Sequence, residues 1–202
     1  MAITINGSTN TLTGVAVGGL PDGIVDTDML AANAVTAAKA AGSAKGITMA
    51  ESWRINTSFD LGTASYGTLA TNWEVADNAN SGSIGSSMTE SSGVFTFPST
   101  GVYLIKFVCG FYKSSVSRRY LGAAIETTVD GSNYSGVAVN YASIASNSGA
   151  THTTAVSHAI FDVTNASTHK CRFSIANVDT ISIHGSTNSN WTSVMFIRLG
   201  DT

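Results

Sequence analysis

The sequence predicts a mainly β protein, an antiparallel β-sandwich preceded by a short extension. Three observations support this. From Trp53 onward, apolar and polar residues alternate in run after run, the period-two signature of strands with two different faces. Turn residues interrupt these runs at intervals close to the roughly 8–12 residues that mark sandwiches. Charged residues make up only 11% of the 202 residues, against about a quarter in ordinary soluble domains. The surface must therefore be built from Ser, Thr, Asn and Gly, which suits turn-rich β folds and close-packed assemblies with few charges to desolvate. A net charge of -3 gives no electrostatic footprint for nucleic acid or anionic lipid. No apolar run approaches the roughly 18 residues of a membrane helix. The opening Met1-Ala2-Ile3-Thr4 lacks the basic start of a secretory signal, so synthesis and assembly in a cytosol are expected.

Residues 1–19 hold short alternating pieces, Ile3 with Ile5 and Val15 with Val17, broken by Asn6-Gly7 and further glycines. They read as two small strands, too short to stay folded in isolation. Leu20-Pro21-Asp22-Gly23 reads as a turn. Asp26 or Thr27 then caps a predicted short helix that begins at Asp28 and stops at Gly42. Its apolar stripe, Leu30, Ala34, Ala37 and Ala41, is narrow, and so short a helix is marginal alone. Two readings fit: a linker lying on its own domain, or an element that packs in three copies around an axis or plugs a partner's groove. Gly42 to Gly46 forms a flexible joint. It separates an extension, residues 1–46, from a main domain, residues 47–202.

In the main domain, Trp53, Ile55, Leu69, Trp73 and Val75 mark the first strands, and residues 78–90 form a polar loop. Residues 91–112, SSGVFTFPSTGVYLIKFVCGFY, carry the clearest pattern. Two alternating apolar runs flank the break Pro98-Ser99-Thr100-Gly101, which reads as a β-hairpin. In the second run Tyr103, Ile105, Phe107, Cys109 and Phe111 share one face, while Val102, Leu104, Lys106, Val108 and Tyr112 share the other. A strand apolar on both sides needs two covers, here a sandwich core and a neighbouring subunit. Further strands are expected at 120–129, closed by an Asp130-Gly131 turn, and at 134–144, 152–163, 170–178, 181–184 and 191–199. Phe95, Phe161, Phe173 and Phe196 join Tyr103, Ile105, Phe107 and Phe111 as expected core or subunit-packing residues.

The wording G-V-F-T-F-P-S-T-G-V-Y-L-I resembles the phrase G-x-F-x-x-P-x-x-G-x-Y-x-F that opens the core of complement-head and tumour-necrosis-factor-like jelly rolls. Gly93, Phe95, Pro98, Gly101 and Tyr103 match it, and Ile105 stands where that family usually has an aromatic. The ending TSVMFIRLGD is similar to the family's apolar last strand with its following acidic residue. The resemblance covers the chain from about Thr48. It implies a jelly-roll β-sandwich of about ten antiparallel strands that forms a homotrimer and binds other surfaces instead of catalysing reactions. Residues 15–47 resemble the front ends of small fibre-like virion proteins of marine tailed phages. That implies attachment to another virion protein of the tail, neck or capsid; the apolar Ile3, Ile5, Val15, Val17, Leu30 and Val35, on elements too short to be stable alone, are placed as on a surface awaiting such a complement.

An enzyme of this size should offer a nucleophile with a base, a carboxylate pair or a ligand cluster, and the sequence offers none. It contains no G-x-S-x-G elbow, P-loop, C-x-x-C pair or H-E-x-x-H, and no cofactor is expected. His152 and His158 have the spacing to face one side of a strand, where His184 or a neighbouring copy would complete a metal site. Plain surface histidines are the expectation. Asp26 and Asp28 lack the glycine and terminal glutamate of a calcium loop. Asn56-Thr57-Ser58, Asn165-Ala166-Ser167 and Asn190-Trp191-Thr192 fit the glycosylation pattern, as chance allows in a chain so rich in these residues. Cys109 and Cys171 fall on inward faces, as free core thiols or, alternatively, as a disulfide.

Tyr112, Lys113, Arg118, Arg119 and Tyr120 form a basic-aromatic cluster. Two readings fit it: a ligand patch for a sugar or an anionic cell-surface polymer, or an exposed turn whose arginines meet acidic groups of a neighbouring subunit. The polar tips at 78–87, 146–151 and 185–190 are the other binding candidates. The expected function is that of a non-enzymatic phage virion surface protein: a short trimeric fibre, anchored by its N-terminus, whose head adheres to the host. A capsid decoration protein and a free lectin-like binding module are the alternatives.

Overall fold

The computed structural model describes residues 4–6, 8, 11–13, 46–62, 67–176 and 180–202. The chain divides into two compact units, Met1–Ala41 and Gly42–Thr202. In the first, β1 (Thr4–Asn6) pairs antiparallel with β2 (Thr11–Thr13), and Ile5 lies opposite Leu12. The helix expected from Asp28 lies outside the described residues. So do five of the attachment positions, Ile3, Val15, Val17, Leu30 and Val35.

The second unit is a jelly-roll sandwich of two sheets holding thirteen strands among the described residues. One sheet runs in the order β11 (Ser135–Ile144), β10 (Arg118–Thr128), β13 (Lys170–Ala176), β8 (Val94–Thr96) and β7 (Thr89–Ser91), with β5 (Gly67–Thr68) also on β13. The other runs β4 (Thr57–Leu61), β14 (Ile181–Ser186), β9 (Gly101–Ser114), β15 (Ser193–Gly200), β3 (Ala50–Ile55) and β6 (Trp73–Val75). There β12 (Ala150–Val163) pairs with β9 along its whole length. On its opposite edge β9 is shared by β15 near its start and β14 near its end.

The core is made by strict alternation along β9. Tyr103, Ile105, Phe107, Cys109 and Phe111 have no exposed surface, and neither do Phe95, Leu121, Ile125, Phe173, Ile175 and Phe196 around them. Their rings pack edge-on or tilted: Phe95 lies 5.4 Å from both Phe173 and Phe196, and Phe107 lies 4.9 Å from Phe173. Such tilted contacts add to the area each ring buries. Phe161 is only partly buried, packed on Phe97 at 5.7 Å. Cys109 and Cys171 are free and fully buried, and burial pushes both thiols well above their ordinary range.

Two expectations are corrected. The break at Pro98-Ser99-Thr100-Gly101 is not a hairpin, because β8 pairs with β7 and β13 while β9 pairs with β12, β14 and β15 in the other sheet. The segment is a corner that carries the chain across the sandwich, pinned where the Tyr103 hydroxyl donates to the Ser99 carbonyl at 3.0 Å. The hairpin lies one turn earlier. Ser91 pairs with Val94, leaving the two-residue loop Ser92-Gly93 with φ of 52° and 82°, the left-handed pair that matches strand twist. The second correction concerns the polar loop at 78–90, which is partly knitted into the sheets: Ile84 bridges Ala50 and β7 begins at Thr89.

Candidate functional site

The outward face of the β9 sheet has an unusual composition. A sheet with one face in the core ordinarily turns polar side chains to water. Here Leu104 lies between Ile160 on β12 and Ile197 on β15, and Val108 lies opposite Val156. Ile160 is 69% exposed and Val156 40%. The outward face of the other sheet carries a second apolar strip along its β11 edge, where Val137, Val139 and Tyr141 are all exposed. Tyr120 joins them, its ring edge-on to Tyr141 at 6.3 Å.

At the far end of β9 the same outward face gathers four rings. Tyr112 lies opposite His152 in register, and the two rings stack at 5.6 Å and 16°. There β14 takes over the edge of β9, and His184 comes within 5.0 Å of both Tyr112 and His152. Gly110 leaves the strand bare at this point. A Cβ there would stand 3.0 Å from the Trp191 carbonyl oxygen, so glycine is what lets the 191–192 segment lie flat on the sheet. The segment is fixed by buried Thr192, whose Oγ1 accepts from the Gly110 N–H at 3.1 Å. Trp191, half-exposed, then packs on His184 with centroids 3.3 Å apart.

The result is a hollow of about 310 Å³ whose lining includes Thr154, His152, His184 and Trp191 and carries no Asp, Glu, Lys or Arg. Partial burial, reinforced by neighbouring His152, holds the His184 imidazole below its ordinary value of 6.5. A second hollow of about 450 Å³ adjoins the same loop. It is lined by Asn78, Ala79, Asn80, Ser81, Asn188, Ser189 and Asn190, and the Asn78 amide donates to the Asn188 carbonyl at 2.8 Å.

The sequence-predicted ligand patch does not hold together. Tyr112 belongs to the ring cluster on one sheet, whereas Arg119 sits 5.6 Å over the Tyr120 ring beside Tyr141 on the other. The two outward faces of a sandwich point in opposite directions, so these groups cannot contact one ligand. Lys113 is engaged by Asp60 at 3.4 Å, and Arg118 donates to the Ser117 carbonyl at 3.0 Å. Of the three histidines, His152 and His184 meet, but His158 is six residues further along β12, roughly 20 Å away. Among the described residues no group of three or more His, Cys, Asp or Glu could hold a metal ion. The polar tips at 78–87 and 185–190 come together around the second hollow. The 146–151 tip instead folds back on Ser115, whose N–H donates to the Asn147 carbonyl at 2.7 Å. Sequence reasoning missed Trp191 altogether as a site residue, since its meeting with His184 depends on the β9–β14–β15 pairing.

Among solved structures the chain is similar to Eiger TNF from S. frugiperda, with a TM-score of 0.54 at 14% identity, covering 76% of this chain and 94% of that one. It is also similar to murine APRIL, with a TM-score of 0.50 at 10% identity, covering 74% and 98%. At these identities the likeness shows the fold, a tumour-necrosis-factor-like jelly roll. No protein-family model and no curated protein matches the sequence.

Proposed function

We propose that this chain is a non-enzymatic binding module that works as a homotrimer. The observation that carries the reading is the open apolar face around Leu104, Ile160 and Ile197. Monomers seldom leave such a patch exposed to water. The strip at Val137, Val139 and Tyr141 supports a ring over a two-fold dimer, because a cyclic trimer joins two different patches where a dimer joins one patch to itself. A binding role is supported by two hollows lined by rings, hydroxyls and amides, groups suited to holding a polar ligand.

The proposal extends to a setting. The wording of residues 15–47 supports a short fibre on a phage virion, attached through residues 1–46 to a tail, neck or capsid protein, with the jelly roll presented to the host. The charge-poor surface favours a second reading, capsid decoration, in which trimers pack on a lattice. Labelled antibody on purified particles separates them: a fibre is confined to the tail or neck, and a decoration protein covers the capsid. Labelling of neither would remove the virion setting and leave the trimeric module standing. The assembly itself is tested by Ile160→Glu in the full chain. The charge should yield folded monomers with an unchanged β-type circular dichroism spectrum, and a variant with the mass of the parent would refute the assignment of this face.

A further inference from the structure

We propose that the ring-walled hollow at the end of β9 is a saccharide subsite for a neutral sugar ring, and that the asparagine-lined hollow beside it takes the next sugar of a chain. This deepens the binding part of the reading above and is independent of the virion setting.

The first hollow, at about 310 Å³, lies at the lower end of the roughly 300–1,000 Å³ of small-molecule sites, room for about one ring. Trp191, His184 and His152 line it, with His184 packed between the other two rings at 3.3 Å from Trp191 and 5.0 Å from His152. The C–H face of a pyranose is apolar and weakly positive, which matches the negative face of an indole. The imidazole nitrogens and the Thr154 hydroxyl supply both donors and acceptors for the sugar's hydroxyl groups. The lack of any charged lining side chain selects against sialylated, sulfated or phosphorylated ligands, which call for Arg or Lys.

Asn188, Ser189 and Asn190 line the second hollow, and Trp191 follows directly in the first. Asn78 and Asn80 face them across it. An asparagine amide has two donors and an acceptor, a pattern suited to neighbouring hydroxyls; Asn78 has its oxygen taken by Arg54 and one N–H by the Asn188 carbonyl, so Asn80, Asn188 and Asn190 carry most of this role. The site is built on paired strands with Trp191 anchored through Thr192, so little ordering remains to be done on binding. The ring cluster lies away from the centre of the apolar face, His152 and Ile160 being eight residues apart on β12, about 26 Å, while Thr154 is two residues from Val156 at the near edge of that face. Oligomeric mass is therefore read alongside binding in each variant.

The test is saturation-transfer NMR on the full chain with methyl glucoside, methyl galactoside, methyl mannoside, methyl N-acetylglucosaminide and their neutral disaccharides, with sialyllactose as the charged probe. At least one neutral sugar should show transfer to its ring C–H protons. Trp191→Ala should weaken it about tenfold or more, and Asn188→Ala should weaken the disaccharide while sparing the monosaccharide. Thr154→Arg, at an exposed strand position, should fill the hollow and abolish binding without disturbing the fold, which covers the case of a Trp191 variant that folds poorly. Binding of sialyllactose alone, binding of no neutral sugar, or full binding by Thr154→Arg would each overturn the subsite. Loss of oligomeric mass in Trp191→Ala would also overturn it, by making the hollow part of the subunit contact. A monomeric wild type that still binds sugar would refute only the trimer.

Discussion

Phe107 has no exposed surface and lies against Phe173, so its removal leaves a cavity that the surrounding rings cannot fill. Phe107→Ala should cost about 3–5 kcal/mol in denaturant unfolding. Asp130 gives a residue-scale prediction for acid. Its carboxylate accepts from the backbone of Asn133, the Asn133 amide, the backbone of Ser132 and the Thr128 hydroxyl, all at 2.7–2.8 Å. These bonds, the Asn133 backbone bond first among them, hold the acid well below its usual 3.8. A depressed folded pKa means the stabilisation is fully present above about pH 4 and is lost as the pH falls from there toward the folded value. Asp130→Asn should therefore flatten the acid limb of a stability-against-pH curve, and an unchanged limb would show that the turn does not govern it. The Asp130-Gly131 turn and the inward parity of β9 were legible from the sequence because both depend on neighbours along the chain. Trp191 was not, because its role depends on contacts made across the sheet.

At the scale of elements, period-two alternation tells which face a residue occupies but not which strand lies beside it. That is why the break after Phe97 reads as a hairpin and is a corner between sheets: a Pro-x-x-Gly segment ends a strand in either case, and only the pairing of β9 with β12 distinguishes them. The true hairpin loop, Ser92-Gly93, makes its own prediction. A Cβ on Gly93 would meet the Leu69 carbonyl oxygen at 2.4 Å with φ at +82°, so Gly93→Ala should destabilise by more than about 1 kcal/mol. An alanine variant as stable as the parent would mean that the loop has relaxed to another turn. Buried Arg54 was likewise invisible in the sequence. Its guanidinium is only 1% exposed and is satisfied by Glu74 and Asp77, each at 2.7 Å, and by the Asn78 side chain. It ties β3 to the loop that lines the asparagine hollow. Arg54→Met should loosen that loop, seen as faster amide exchange at residues 77–81 with β9 still protected.

For the whole molecule, the resemblance of a short phrase around Gly93 and Tyr103 was enough to reach the jelly roll, since those residues set the hairpin, the corner and the core together. The proposed assembly has one sign in the sequence, a strand apolar on both faces. What the fold adds is the second strip on β11, and with it an expectation about symmetry. In a ring, Ile160→Glu spoils one side of each contact and Val139→Glu the other. Mixing the two variants should therefore restore a single good contact and give heterodimers, whereas a two-fold dimer built on one face would gain nothing from mixing. The most direct test of the central claim is sedimentation equilibrium of the unmodified full chain at micromolar concentration. A single species of three times the chain mass is expected, and a stable monomer or dimer would contradict the assembly proposed for this face.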